Sequence, residues 1–328
     1  DIHFFTGLLN SKVFSYFVDF FSQTMSKGSG DFSRVPVIVE NTSEIKRLVI
    51  QCLDISKSNW SIQAENIDFK LSELIRLNKN HLIDTFVFFQ KKWQTQFYKL
   101  HRNEEELNKQ FIKIYNLQEE LSPDVPLENI TILKEDLDQK KLKELSNTYK
   151  SGWQLIDGEW QLNREQKEQP DLPFDAREVM RQFVSYAVGC MFGRYSLDKE
   201  GLILANQGET LEDYIAKVGI HEEELQFVPD EDNIIPILDD EWFKDDMVGL
   251  FNAFLKRSFG KENFEQNLAF VEDSLGRDMR NYFLRDFYTD HVRRYKKRPI
   301  YWLFSSPKGS FNVLIYMHRY TPDTLNRI

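Results

Sequence analysis

Apolar residues in the first sixty positions recur at three- and four-residue steps. Leu8, Leu9, Val13, Phe17, Phe20 and Phe21 form one such series, so a short buried helix is predicted over 7–22. The two glycines of SKGSGD (26–31) interrupt it, and FSRVPVIV (32–39) follows as a short extended piece. NTSEIKRLVIQCLDISKS (41–58) starts a new helix, with Thr42 or Ser43 as its cap and Ile45, Leu48, Val49, Cys52 and Leu53 on one face. The longest series is Leu82, Phe86, Phe89, Trp93, Phe97, Leu100, Leu107, Phe111, Ile114, Leu117 and Leu121, with one step skipped at Glu104. It is either one long helix with a single apolar stripe or an antiparallel pair broken around 102–103. The prolines of SPDVPLEN (122–129) end it, because a helix interior excludes them.

Beyond that point SGWQLIDGEW (151–160) has the pattern of a small hairpin or loop held by Trp153 and Trp160. NREQKEQPDLP (163–173) is polar enough to be a surface linker. FDAREVMRQFVSYAVGCMFGRYSLD (174–198) resumes as an amphipathic helix capped by Asp175, and 198–246 looks loop-rich. Two or three helices are expected over 240–295. The end, IYWLFSSPKGSFNVLIYMHRY (300–320), reads as a β-hairpin around a Pro- and Gly-containing turn. The expected fold is mainly α with minor β: a long helical spacer, then a helical C-terminal domain closed by a hairpin.

Composition narrows this picture. The 328 residues are 41% hydrophobic and include 27 Phe, enough for a substantial core in about two domains. The apolar runs fall well short of the ~20 residues that span a bilayer, and no basic-then-apolar leader opens the chain, so a cytoplasmic setting is expected. Cys52 and Cys190 are not spaced as a pair and are expected to be reduced core residues. The net charge of −10 is unevenly placed. Segment 199–246 holds fifteen acids and three lysines, a local charge of −12, whereas 277–328 holds eleven Lys or Arg and four Asp, a local charge of +7. Such asymmetry suits a phosphate backbone, or two segments that attract each other.

No catalytic centre emerges from the residues. The six histidines lack Cys, His or carboxylate partners at metal-ligand spacing, and neither a P-loop nor a nucleophile elbow is present. The acid pairs Asp239/Asp240 and Asp245/Asp246 read as helix-start acids rather than a metal site. HVRRYKKRP (291–299) is the sharpest local feature. Arg293, Arg294, Lys296, Lys297 and Arg298 set five cations in six positions beside Tyr295, as phosphate contact requires; a charged helix C-terminus stopped by Pro299 has the same composition.

Three blocks carry a family resemblance: YAVGCMFGRYSLDKEGLILANQGE (186–209), IIPILDDEWFKDDMVGLFNAFLKRSFG (234–260) and RRYKKRPIYWLFSSPKGSFNVLIYMHRY (293–320). They resemble the C-terminal part of the PglX (BrxX) adenine-specific DNA methyltransferases of BREX phage-defence systems. NEEELNKQFIKIYNLQEELSPDVP (103–126) is similar to the helical segment after target recognition in that family and in the related type IIG restriction–modification enzymes. The opening segment from LLNSK to GDFSRVPV (8–37) is similar to the closing helix and strand of a target-recognition domain.

The resemblance implies three parts: the tail of a target-recognition domain over 1–40, a helical spacer over 41–130 and a C-terminal helical domain over 131–328. It implies S-adenosylmethionine-dependent N6-adenine methylation by a longer parent enzyme. The family's Asn/Asp-Pro-Pro-Tyr/Phe loop and Phe-x-Gly-x-Gly cofactor loop are absent here. This chain is therefore expected to be the non-catalytic C-terminal portion, with no cofactor of its own. Implied partners are duplex DNA, other BREX subunits and a phage DNA-mimicking inhibitor. The expected DNA contacts are Arg293, Arg294, Lys296, Lys297 and Arg298, with Lys27 and Arg34 at the recognition-domain end.

Overall fold

The computed structural model describes residues 1–22, 29–163, 169–240, 245–307 and 311–328. Among them are fourteen α-helices and two small antiparallel sheets, a mainly helical protein with minor β, as the periodicity predicts. No described helix is long and apolar enough to cross a membrane.

The chain packs as two compact units. One comprises Asp1–Asn59 with Lys92–Phe174, the other Trp60–Lys91 with Asp175–Ile328. This grouping follows packing and does not coincide with the expected sequence segments 1–40, 41–130 and 131–328.

The first unit is built on the Leu82–Ile114 helix from Lys92 onward. The periodic series left one helix or two open; it is a single helix of 33 residues. It ends earlier than the apolar stripe, because Asn116 turns left-handed (φ 54°). The Leu117 N–H then donates to the Ile112 carbonyl at 3.0 Å and the Asn116 N–H to Lys113 at 3.2 Å, which closes a Schellman cap. Leu107, Phe111 and Ile112 pack with Phe4, Leu8, Val13, Ile45, Leu48 and Val49 into one buried cluster. The predicted 7–22 helix is two helices, Ile2–Leu9 and Lys12–Phe21, since Ser11 caps the second by accepting from the Phe14 N–H at 3.3 Å. Leu9 and Phe20, placed on the buried face by the spacing, are consequently exposed. The predicted extended piece at 32–39 is a short helix, Ser29–Phe32, followed by irregular chain. There Tyr115 donates to the Pro36 carbonyl at 2.6 Å and accepts from the Ile38 N–H at 3.2 Å. The expected hairpin is present: Trp153–Ile156 pairs with Glu159–Leu162 across Asp157-Gly158, both at positive φ.

In the second unit Ala176–Met191 is the central helix. Asp175 caps it as predicted, accepting from the Glu178 N–H at 3.2 Å, and every residue from Phe183 to Met191 is buried. Phe183 meets Phe254 and Phe259, each at 5.9 Å between ring centroids, and Tyr186 stacks on Tyr195 at 5.3 Å. The stretch expected to be loop-rich holds the helix Leu211–Val218, and 240–295 holds four described helices where two or three were expected: Met247–Phe259, Phe264–Leu275, Met279–Arg285 and Phe287–Arg294. The terminal strands Tyr301–Ser305 and Asn312–Tyr316 pair as predicted, and Ile235–Ile237 adds an antiparallel edge strand from within the acidic segment. Pro236 is tolerated there because an edge strand leaves one side of its backbone unpaired.

Gly189 faces Tyr195 so closely that an added Cβ would lie 2.5 Å from its Cδ2 and 2.9 Å from its Cε2. Gly189→Ala should therefore destabilise this unit by about 1–3 kcal/mol, measured by urea denaturation; an unchanged midpoint would mean that the Tyr186–Tyr195 stack yields freely.

Candidate nucleic-acid interface

The sharpest motif of the sequence lies at the C-terminal end of Phe287–Arg294. Its five cations divide into two groups. The Arg294 side chain is only 4% exposed and donates from Nη2 to Glu178 Oε1 at 2.6 Å. Arg293 is 60% exposed and donates to Glu178 Oε2 at 3.0 Å, with Asp290 3.7 Å away. Arg181 joins the same network, 3.3 Å from Glu178 and 2.8 Å from Asp290, which also accepts from the Tyr282 hydroxyl at 3.2 Å. Removing two charges from water is costly unless they meet at good geometry with their other bonding groups satisfied. Glu178 meets that demand by accepting from three arginines.

Lys296, Lys297 and Arg298 are exposed, and none has an ion pair among the described residues. They follow the helix in a Schellman turn: the Lys296 N–H donates to the Arg293 carbonyl at 3.1 Å and the Lys297 N–H to Val292 at 2.8 Å. Lys296 and Lys297 have φ of 50° and 65°, the left-handed region where glycine or asparagine is usual. Two consecutive lysines in that region carry strain, a pattern that clusters at functional sites.

His291 holds the far side of the turn. It is buried, stacks within 4.7 Å of both Tyr295 and Tyr301, and accepts at Nε2 from the N–H groups of Ile300 (3.1 Å) and Tyr301 (3.3 Å). Burial, with Arg294 and Arg194 adding repulsion, pushes its imidazole down to about 3. The neutral ring is thus an anchor, with Nε2 free to accept. The turn is pinned at one end by Arg294 and Glu178, and at the other by His291.

Of the two remaining candidates, Arg34 is exposed in the first unit, its guanidinium 5.7 Å from the Phe21 ring centroid. Lys27 lies outside the described residues. Glu178 and His291 were not singled out from sequence. Glu178 stands 115 positions from Arg293, and no local pattern announces that pairing.

The acidic and basic segments meet in part. Arg280 donates to Asp246 Oδ2 at 2.8 Å, while Asp246 also caps Met247–Phe259, as expected of a helix-start acid. Arg319 is buried and donates to the carbonyls of Asp230 (2.7 Å) and Glu231 (2.8 Å). The described acidic residues thus meet Arg280 and Arg319, and among the described residues none pairs with 296–298. No group of described residues could hold a metal ion.

Comparison with known proteins agrees with the three sequence blocks. The adenine-specific methyltransferase BrxX of Escherichia coli O9:H4 (strain HS) is 30% identical over 336 residues, covering 98% of this chain and 25% of that protein. The chain is a partial homologue. The adenine-specific methyltransferase PglX of Lacticaseibacillus casei (strain Zhang) is also 30% identical, over 341 residues, covering 99% of this chain and 24% of its own length. The chain thus spans about a quarter of the length of these curated relatives. No family model matches it.

Glu178→Ala removes the carboxylate that Arg181, Arg293 and Arg294 share, and should cost about 3–5 kcal/mol by denaturant titration. A loss below about 1 kcal/mol, the worth of an exposed pair, would mean that Arg294 escapes to solvent. His291 supplies the pH dependence. Its folded-state value lies below its unfolded one, so acid favours the unfolded chain, which takes up the proton first. Stability is complete above the unfolded value of about 6.5 and falls as pH drops toward 3, by about 1.4 kcal/mol per unit; His291→Gln should flatten that slope in urea titrations at pH 7 and pH 5.

Proposed function

We propose that this chain is a non-catalytic, DNA-positioning part of a BREX-type adenine-N6 DNA methyltransferase acting in phage defence and self-marking. Methyl transfer and the S-adenosylmethionine site belong to other parts of the parent enzyme. The observation that carries the reading is the turn at 296–298: three exposed cations without ion pairs among the described residues, on a backbone anchored from both sides, within a chain matched over almost its whole length by adenine-specific methyltransferases.

A methyltransferase that extrudes its target base spends a few kcal/mol on unstacking, and phosphate contacts that fix the duplex in register help offset it. Lys296, Lys297 and Arg298 supply such contacts. Arg293, exposed though paired with Glu178, adds a fourth cation at the rim. Arg294 serves by holding the turn rather than by reaching the duplex. Arg34, in the first unit, is proposed as a DNA contact in its own right, and Lys27 with it on sequence alone.

A second reading takes the chain as a docking lobe for other BREX subunits or a DNA-mimicking inhibitor. The exposed acids Glu222, Glu223 and Glu224 favour it, and both roles can coexist on different surfaces.

Fluorescence anisotropy on a short duplex, at low and near-physiological salt, tests the DNA reading. Lys296→Glu, Lys297→Glu and Arg298→Glu together should reduce the salt slope by about 3 while leaving stability nearly unchanged. Lys296→Gly should weaken binding and yet stabilise the fold by about 1 kcal/mol through relief of the left-handed strain. An unaltered affinity and slope in the triple variant would remove this turn from the interface and favour the docking reading.

A further inference from the structure

The first unit contains an open cleft of about 420 Å³ that the DNA reading does not use. This volume falls within the ~300–1,000 Å³ of small-ligand sites. Its walls come from the Ile2–Leu9, Lys12–Phe21, Thr42–Trp60 and Leu82–Ile114 helices and the chain around 125–131. Val49, Leu53, Leu100, Leu107 and Val125 make an apolar lining.

Most of its inner polar groups are already satisfied. The Lys12 ammonium donates to the Ser122 carbonyl at 3.1 Å, and the Lys12 N–H to Asn108 Oδ1 at 2.9 Å. The Asn108 amide donates in turn to the Pro123 carbonyl at 3.4 Å. Glu105, which lies behind the wall, accepts from the Val125 N–H (3.1 Å), the Ser151 hydroxyl (2.5 Å) and the Trp153 indole (3.1 Å). Glu104, one residue earlier, lines the cleft and has no hydrogen bond or ion pair among the described residues. The same helix therefore presents one carboxylate fully bonded and one left for something else.

We propose that this cleft binds a small organic cation, a guanidinium or ammonium group on an apolar stem, with Glu104 as its anionic anchor. Lys12 and Glu104 are the charged residues of the lining, and the Lys12 ammonium is held by the Ser122 carbonyl rather than by Glu104. Burial, with Glu105 adding repulsion, raises the Glu104 carboxyl to about 7, so its ionised form lacks a compensating charge. Cys52, facing it from the Thr42–Trp60 helix, is pushed up to about 12 by burial and by Glu104, and stays a neutral thiol. Lys12, on the opposite wall, is lowered by burial against the pull of Asp124 and Glu105, and its ammonium is committed to Ser122.

The test is calorimetric titration of the 328-residue chain with agmatine, a free guanidinium on an alkyl stem, and with Nα-acetyl-L-arginine amide, the same group presented by a polypeptide. Saturable binding of either at pH 8 is expected, about tenfold weaker at pH 6 as Glu104 takes up its proton. Selective binding of the arginine amide would assign the cation to a protein side chain, and selective binding of agmatine to a free amine. Glu104→Gln should weaken binding at least tenfold at pH 8 without lowering the melting temperature there, since it removes a charge that burial disfavours. No saturable binding of either probe at millimolar concentration, or wild-type binding equal at pH 6 and pH 8, would overturn the proposal. DNA affinity bears on the candidate nucleic-acid interface and not on the cleft, so the two readings fail separately.

Discussion

A single carboxylate, Glu178, organises the candidate interface. It sits in the first turn of the buried Ala176–Met191 helix and accepts from Arg181, Arg293 and Arg294. An unaccompanied guanidinium at the depth of Arg294 would be too costly to keep, and an unaccompanied carboxylate likewise. Their pairing fixes where the Phe287–Arg294 helix ends. It thereby fixes where the next three cations emerge. His291 then ties the chain beyond Pro299 to the same helix through the N–H groups of Ile300 and Tyr301.

Desolvation sorts a run of cations that looks uniform on paper. Arg294 is drawn inward by Glu178, Arg293 is held at the rim, and Lys296 to Arg298 are left in water by a left-handed turn. Long-range attraction from the acidic segment does little of this sorting, because its contacts reach Arg280 and Arg319 instead. A phosphate-binding surface needs cations that are near one another yet not neutralised by neighbours, and among the described residues no ion pair reaches Lys296, Lys297 or Arg298.

Much of the fold was legible because it follows from repeating apolar positions and strong caps. The Leu82–Ile114 stripe, the Asp175 cap, the Asp157-Gly158 hairpin and the paired terminal strands were all visible as patterns. What escaped was decided by single residues or by distant partners. Ser11 caps a second helix inside what looks like one, and Asn116 ends the long helix while leucines continue to 121. The edge strand Ile235–Ile237 is too short and too acid-flanked to announce itself. In the site, the cation cluster was plain from composition, whereas its division required Glu178, over a hundred residues away. The cleft beside Glu104 was hidden for the same reason: its walls come from four helices, and the skipped step in the apolar series marks only that a polar residue stands there.

The central claim is that 296–298 faces the DNA backbone while Arg294 only supports it. Site-specific photo-crosslinking in the intact parent enzyme tests this most directly, with the photoreactive group placed in turn at Lys297 and at Glu223 and a labelled duplex added. The account predicts efficient, salt-sensitive crosslinks from position 297 and none from position 223. Crosslinks to protein subunits from 297, with none to DNA, would contradict it.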